Sequence, residues 1–234
     1  MCRRVRRRAD ILPAERAMPY ALRPGLSFCV AGGRHFFLDR VANRYFALAD
    51  QDQRMFACLT TANGDDVSKP DCSMAVIQLL VPCPQGSIAP CQPRFRPTGE
   101  LGAHEAGRFS LLQVTRATFA YAVAKVLLRR NSLAWLLDDL ARRKAAIDRS
   151  VEPEDGLVHL ALAFEALRSF IGQDQCLPLS IAYARCAYAR GYRVEIVFGV
   201  TPRPFGAHCW VQQGGDVLND RLARVEHFTP IYAQ

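Results

Sequence analysis

The sequence predicts an α+β fold, and three observations carry that expectation. Residues Leu26 to Leu48 hold three short runs rich in apolar and aromatic side chains with turn residues between them, the pattern of a strand meander. Residues 109–171 hold three stretches whose apolar residues recur at helical spacing. From Cys176 onward, one more helix is followed by two strands that finish close to Asp220. A stretch rich in proline and glycine separates the first region from the others. The expected organisation is a basic arm over 1–19, a winged-helix-like module over 20–85, a linker over 86–107 and a second domain over 108–234.

With 234 residues, half of them hydrophobic, the chain can bury a core and is not of disordered composition. No apolar run approaches the ~20 residues that span a bilayer, and no apolar stretch follows the N-terminal arginines as a secretory signal requires. These features point to a cytoplasmic protein without a membrane partner. The net charge is +8, but residues 1–18 contribute half of it, with six arginines against Asp10 and Glu15. A solvated arm explains that run better than nucleic-acid binding does. The nine cysteines are odd in number and contain no C-x-x-C pair, which argues against disulfides and against zinc. Most are expected to be reduced, buried and apolar in character.

In the first module, Ser27 to Val30, His35 to Asp39 and Arg44 to Leu48 are the strands, joined at Gly32-Gly33 and at Arg40 to Asn43. Asp50 is placed to cap a helix through Met55, Phe56 and Leu59 that ends at Asn63-Gly64. A second helix is expected over Cys72 to Leu80, stopped by Pro82-Cys83-Pro84. In the middle region the stripes are Phe109, Leu112, Arg116, Phe119, Val123 and Val126, then Leu133, Leu136, Leu137 and Leu140, then Leu157, Leu160, Ala161, Phe164, Leu167 and Ile171. All three are expected to pack the core, although Arg116 interrupts the first. His159 and Glu165 are given no role.

Chemistry concentrates between Gln175 and Asp220. Pro178 fits a helix only in its first turn, which puts Cys176 at a helix N-terminus. There the helix dipole lowers a thiol pKa and backbone N–H groups are available to an oxyanion. Gly191 sits where a left-handed C-terminal residue is needed. Arg193 to Val200 alternates as a half-buried strand, and the next strand runs from Ala207 to Gln212 with His208, Trp210 and Gln212 on one face. Asp220 shares the His208 face only if the turn at Gly214-Gly215 has three residues, pairing Gln213 with Val217; a two-residue turn sends it to the other face. Cys176, His208 and Asp220 are thus the candidate nucleophile, base and orienter of the base. Gln173 or Gln175 could donate to an oxyanion. Asp216, at the turn, is too far from His208 to serve.

The residues Gln175-Cys176-Leu177-Pro178-Leu179-Ser180, Arg190-Gly191-Tyr192, Val197 to Val200, Ala207-His208-Cys209-Trp210-Val211, Leu218-Asn219-Asp220 and Phe228-Thr229-Pro230 resemble the lasso peptide biosynthesis B protein family. These are transglutaminase-like cysteine peptidases. The likeness is strongest from Cys176 to Pro230 and extends more loosely over the N-terminal module. It implies a transglutaminase-like (papain-like) peptidase domain whose catalytic residues fall on Cys176, His208 and Asp220. It also implies that the N-terminal module binds the leader of a ribosomally made precursor by adding it as a strand to the meander, with Phe36, Phe37, Leu38, Tyr45 and Phe46 as candidate contacts. An asparagine-synthetase-like cyclase using ATP would be the partner that closes the macrolactam. No bound cofactor is implied for this chain, which has no P-loop. Two other readings use the same residues: transfer of the acyl group to an amine, and a binding protein whose peptidase-like part is inert.

Overall fold

A computed structural model describes residues 20–61, 73–84, 86–101, 110–148 and 155–234, with only the backbone of Thr61, Asp155 and Gln173. The basic arm, the Asn63-Gly64 helix stop, Cys72, Phe109 and Pro153 lie outside the described residues. The strands are β1 (Tyr20–Leu22), β2 (Leu26–Ala31), β3 (Arg34–Asp39), β4 (Arg44–Ala47), β5 (Leu80–Pro82), β6 (Gly99–Glu100), β7 (Glu195–Pro202), β8 (Phe205–Gln213), β9 (Asp216–Val217) and β10 (Thr229–Ala233). The helices are α1 (Asp50–Thr61), α2 (Met74–Ile77), α3 (Leu111–Arg130), α4 (Leu133–Ala145), α5 (Asp155–Arg168), α6 (Cys176–Ala189) and α7 (Leu222–Val225).

The chain divides into two compact units that do not follow the expected boundaries. One comprises residues 1–23 and 50–88, the other 24–49 and 89–234. In the first, β1 pairs antiparallel with β5, Ala21 opposite Val81, and α1 begins at Asp50 as expected. The second helix is far shorter than expected. Capped by Ser73, it ends at Ile77, because Leu80, Val81 and Pro82 enter a strand instead.

In the larger unit the meander forms as expected, in the order β2-β3-β4, with Gly32 and Gly33 in the left-handed region at the first turn. It packs as part of the same core as the C-terminal helices: Cys29, Ala31, Phe36 and Leu38 join Leu136, Phe164, Tyr183 and Ile196 in one buried cluster. Arg40 lies over the Tyr232 ring at 4.6 Å, and its carbonyl accepts from the Ala134 N–H at 3.1 Å. Phe36 stacks on Phe205 at 5.9 Å.

The expected linker is also built in over its described part. Glu100 pairs parallel with Val217, Thr98 N–H donates to the Gly215 carbonyl, and Cys91 N–H donates to the Phe28 carbonyl. These are backbone bonds, which a scarcity of apolar side chains does not exclude. The resulting sheet has the order β10-β7-β8-β9-β6. It is covered on both faces, so β7 is buried throughout its middle rather than half-buried: Ile196 and Phe198 face the main core, while Val197 packs with Trp210, Val217 and Val225.

The helices follow their stripes with one exception. Leu133, Leu136, Leu137 and Leu140 of α4 are buried, as are Leu157, Leu160, Ala161, Phe164 and Leu167 of α5. On α3 the expected stripe is instead the outer face, with Leu112 and Phe119 exposed and Val126 nearly half exposed. The packed face carries Val114, Ala117, Tyr121, Ala124 and Leu128, small residues alternating with large ones against α5 and α6. By length and composition α3 is also long and apolar enough to cross a membrane, a run not apparent by eye because arginines bound and interrupt it.

Candidate active site

Cys176 opens α6, directly after a 3-10 turn over Gln173–Gln175. Pro178 occupies the first helical turn, and Gly191, at φ +84°, ends the helix. Gly191 N–H bonds the Tyr188 carbonyl and Tyr192 N–H that of Ala187, the paired closure that a left-handed glycine allows. The helix is buried on nearly all sides, which fixes the position of the thiol.

His208 lies on β8, 6% exposed and opposite Gly199 of β7. Its Nε2 is 2.6 Å from Asp220 Oδ2, and Cys176 lines the same small cleft, close enough that each of the two groups shifts the other's pKa. Since Asp220 engages Nε2, Nδ1 is the nitrogen left for the thiol. Phe228 and Trp210 pack near the ring, at 4.9 and 6.2 Å between centroids.

The expected route to this contact is wrong in one step. β8 and β9 pair Gln213 with Asp216 and Gln212 with Val217, the two-residue turn at Gly214-Gly215 rather than the odd one. Asp220 nevertheless meets His208. The strand stops at Val217 and the chain bends through Leu218 to Asp220, so alternation along the strand no longer governs where Asp220 points. Asn219 fixes the bend: its Oδ1 accepts from Val211 N–H at 2.7 Å, and its Nδ2 donates to Ser180 Oγ at 2.8 Å. Ser180 Oγ in turn donates to the Cys209 carbonyl at 2.9 Å. Asp216 is exposed at the turn.

The electrostatics follow from these bonds. Burial alone would raise the Cys176 pKa, but the hydrogen bond and charge of His208, with the backbone N–H groups of Cys209 and Leu177, hold it below the ordinary thiol value. Burial would lower the His208 pKa, yet its bonds to Asp220 and Cys176 raise it. Burial likewise opposes ionisation of Asp220, and the bonds from His208 and Arg168 outweigh it and lower its pKa. Other thiols move the opposite way, Cys29 pushed up to about 12 and Cys91 to about 11 by burial, and Cys209 raised well above its usual value.

The remaining candidates divide. Gln175 Oε1 accepts from Tyr121 Oη at 2.9 Å, while the Gln173 side chain lies outside the described residues. Phe36, Phe37 and Leu38 are buried, so these side chains are core rather than a binding surface. Tyr45 and Phe46 are half-buried on β4, which pairs with β3 on one side. Tyr45 is near enough to the nucleophile that, after burial, the charges of Cys209 and Cys176 raise its pKa. Sequence reasoning missed Ser180, which lies one helical turn beyond Cys176 on the same face, and Asn219, adjacent to Asp220. It also missed Arg168, 52 residues before its partner and without a local signal.

Two clefts meet at the site. A small one is lined by Cys176, Leu179, His208 and Asp220. It shares Arg168, Asn219, Asp220 and Arg224 with a larger one of about 420 Å³, bordered further by Glu165 and Arg221.

Residues 120–233 match the transglutaminase-like superfamily. The matched stretch is just under half of the chain. Over 50 residues the chain is 40% identical to the microcin J25-processing protein McjB of Escherichia coli, covering 21% of this chain and 24% of the relative. The matched stretch thus spans about a quarter of that protein's length. No solved structure matches the chain.

Proposed function

We propose that the chain removes the leader segment from a ribosomally made lasso peptide precursor by acyl transfer through Cys176. The observation that carries this reading is the His208–Asp220 hydrogen bond beside Cys176 in one small cleft, within the stretch similar to transglutaminase-like proteins. Likeness to a protein named for microcin J25 processing supports the substrate class. His208 takes the thiol proton, and Sγ attacks the scissile carbonyl carbon. The tetrahedral intermediate collapses to a thioester with the leader as the core peptide's amine accepts the proton from His208. A water deprotonated by His208 then attacks the thioester, releasing the leader carboxylate and restoring the thiol. Asp220 holds the imidazole in the tautomer that presents Nδ1 to sulfur and stabilises the imidazolium. The Gln175 amide is the side-chain candidate for oxyanion donation.

In this reading the meander β2–β4 is the recognition element. The leader adds to the outer edge of β4, with Tyr45 and Phe46 beside it, in the cytoplasm where the precursor is made. The freed amine passes to an ATP-using, asparagine-synthetase-like cyclase. Incubating precursor with the parent protein and with Cys176→Ala, with and without the cyclase and ATP, tests the proposal. Mass spectrometry should find free leader carboxylate only with the parent. Leader release by Cys176→Ala would overturn the reading, and a leader joined to an added amine would identify transamidation instead.

A further inference from the structure

We infer that Arg168 is a positioning residue for the candidate triad, setting Asp220 and, through it, the charge state of the Cys176–His208 pair. The inference rests on the acyl-transfer reading for its kinetic consequence and on geometry alone for its electrostatic one.

Arg168 ends α5, the helix preceding the turn that delivers Cys176. Its guanidinium spans the bend that carries Asp220: Nη1 donates to the Asn219 carbonyl at 3.1 Å, and Nη2 donates to Asp220 Oδ1. The same Oδ1 accepts the Arg221 N–H at 2.7 Å, leaving Oδ2 to His208. The carboxylate is therefore held at both oxygens and can swing at neither. Its side chain is 4% exposed against 27% for Arg168, so a buried anion depends on a cation that still reaches solvent. A carboxylate so enclosed needs a compensating cation to remain ionised. Arg suits the task because its planar fork delivers two parallel N–H donors, to a carbonyl and a carboxylate one residue apart, which a Lys ammonium does not match. The last backbone bond to β8 after Val217, Leu218 N–H to the Val211 carbonyl at 2.9 Å, falls two residues before Asp220. Asn219 fixes the bend from the Ser180 side and Arg168 from the α5 side.

The facing charges are few. Asp220 and Arg168 lie together with His208, Cys176 and Arg224 around the small cleft, and Glu100, Glu165 and Arg221 border the larger one. Arg168 bonds the Asp220 side chain through its guanidinium.

The test compares Arg168→Met and Arg168→Lys with the parent, each first confirmed as folded by circular dichroism. Iodoacetamide labelling of Cys176 as a function of pH reads the thiolate directly and needs no substrate. In Arg168→Met the acid shoulder of that labelling should move to higher pH by roughly half a unit or more, as the thiolate loses a well-held imidazolium partner and a nearby cation. Arg168→Lys should recover part of the shift. On precursor, kcat should fall about 10-fold or more in Arg168→Met with KM little changed. An unmoved labelling profile in folded Arg168→Met overturns the inference, and so does a loss confined to KM. If labelling shifts but the parent never cleaves precursor, the peptidase reading fails while the role of Arg168 stands.

Discussion

At the residue scale, function turns on proton inventory. The lowered Cys176 pKa means that the thiolate is present above it and lost as pH falls through it. The raised His208 pKa means that the imidazolium is present below it and lost as pH rises through it. The productive pair exists between the two, so kcat/KM on precursor should be bell-shaped. Its acid limb should lie below the ordinary thiol value of about 8.5 and its alkaline limb above the ordinary imidazole value of about 6.5. A profile rising to a plateau set by an unperturbed thiol would refute the pairing. Linkage gives the same groups a stability signature. His208 stabilises the fold fully below its unfolded value and loses that contribution as pH rises through the folded one, whereas Asp220 stabilises above its unfolded value and loses it as pH falls. Asn219→Ala should cost about 1–3 kcal/mol in urea titrations, because the Val211 N–H and Ser180 Oγ would each lose a partner. Cys176 and His208 were legible in the sequence because helix-start chemistry and strand alternation are local. Asp220 was named from its place in the chain after His208, and the odd-length turn expected to bring it there does not form, since a bend rather than a hairpin register carries it to His208. Arg168 left no local trace, because its partner is remote in sequence.

At the element scale, α3 shows how an apolar stripe can mislead. Leu112, Phe119 and Val126 outbid Ala117 and Ala124 in any count of hydrophobicity, yet alanines let α3 approach α5 and α6 closely. Arg116, on the exposed side, was the signal that this face is not core. Ala117→Leu or Ala124→Leu should therefore destabilise by about 1–3 kcal/mol through overpacking, while Phe119→Ser should leave the denaturation midpoint nearly unchanged. The reverse ranking would restore the stripe as the core face. α4 and α5 posed no such problem, since their large residues are their buried ones. In α6 the glycine signal was sufficient by itself: φ +84° at Gly191 strains any side chain, so Gly191→Ala should lower stability by about 1 kcal/mol in the same assay.

At the scale of the whole molecule, the meander changes meaning. Its short apolar runs and turns announced strands correctly, but they say nothing about which partner covers the buried face, and a proline-rich stretch after it suggested a tether. Instead Cys29, Ala31, Phe36 and Leu38 are packed into the core that also holds α4, α5 and α6. Residues 24–49 thus complete the domain that contains Cys176, and Tyr45 lies within electrostatic reach of that thiol. If the meander also receives the leader, recognition and catalysis share one core, and leader binding has a short structural path to the nucleophile. Phe36, 7% exposed and stacked on Phe205, is the place to test this. Phe36→Ala should cost about 3–5 kcal/mol, and the loss should appear in the same cooperative unfolding transition that exposes the buried Cys209 thiol to labelling. A separable module would respond differently: leader affinity would fall, while Cys209 would stay protected to the parent's denaturant midpoint. The two outcomes are distinguished by following thiol labelling and tryptophan fluorescence in one titration, because Trp210 reports on the sheet that carries His208.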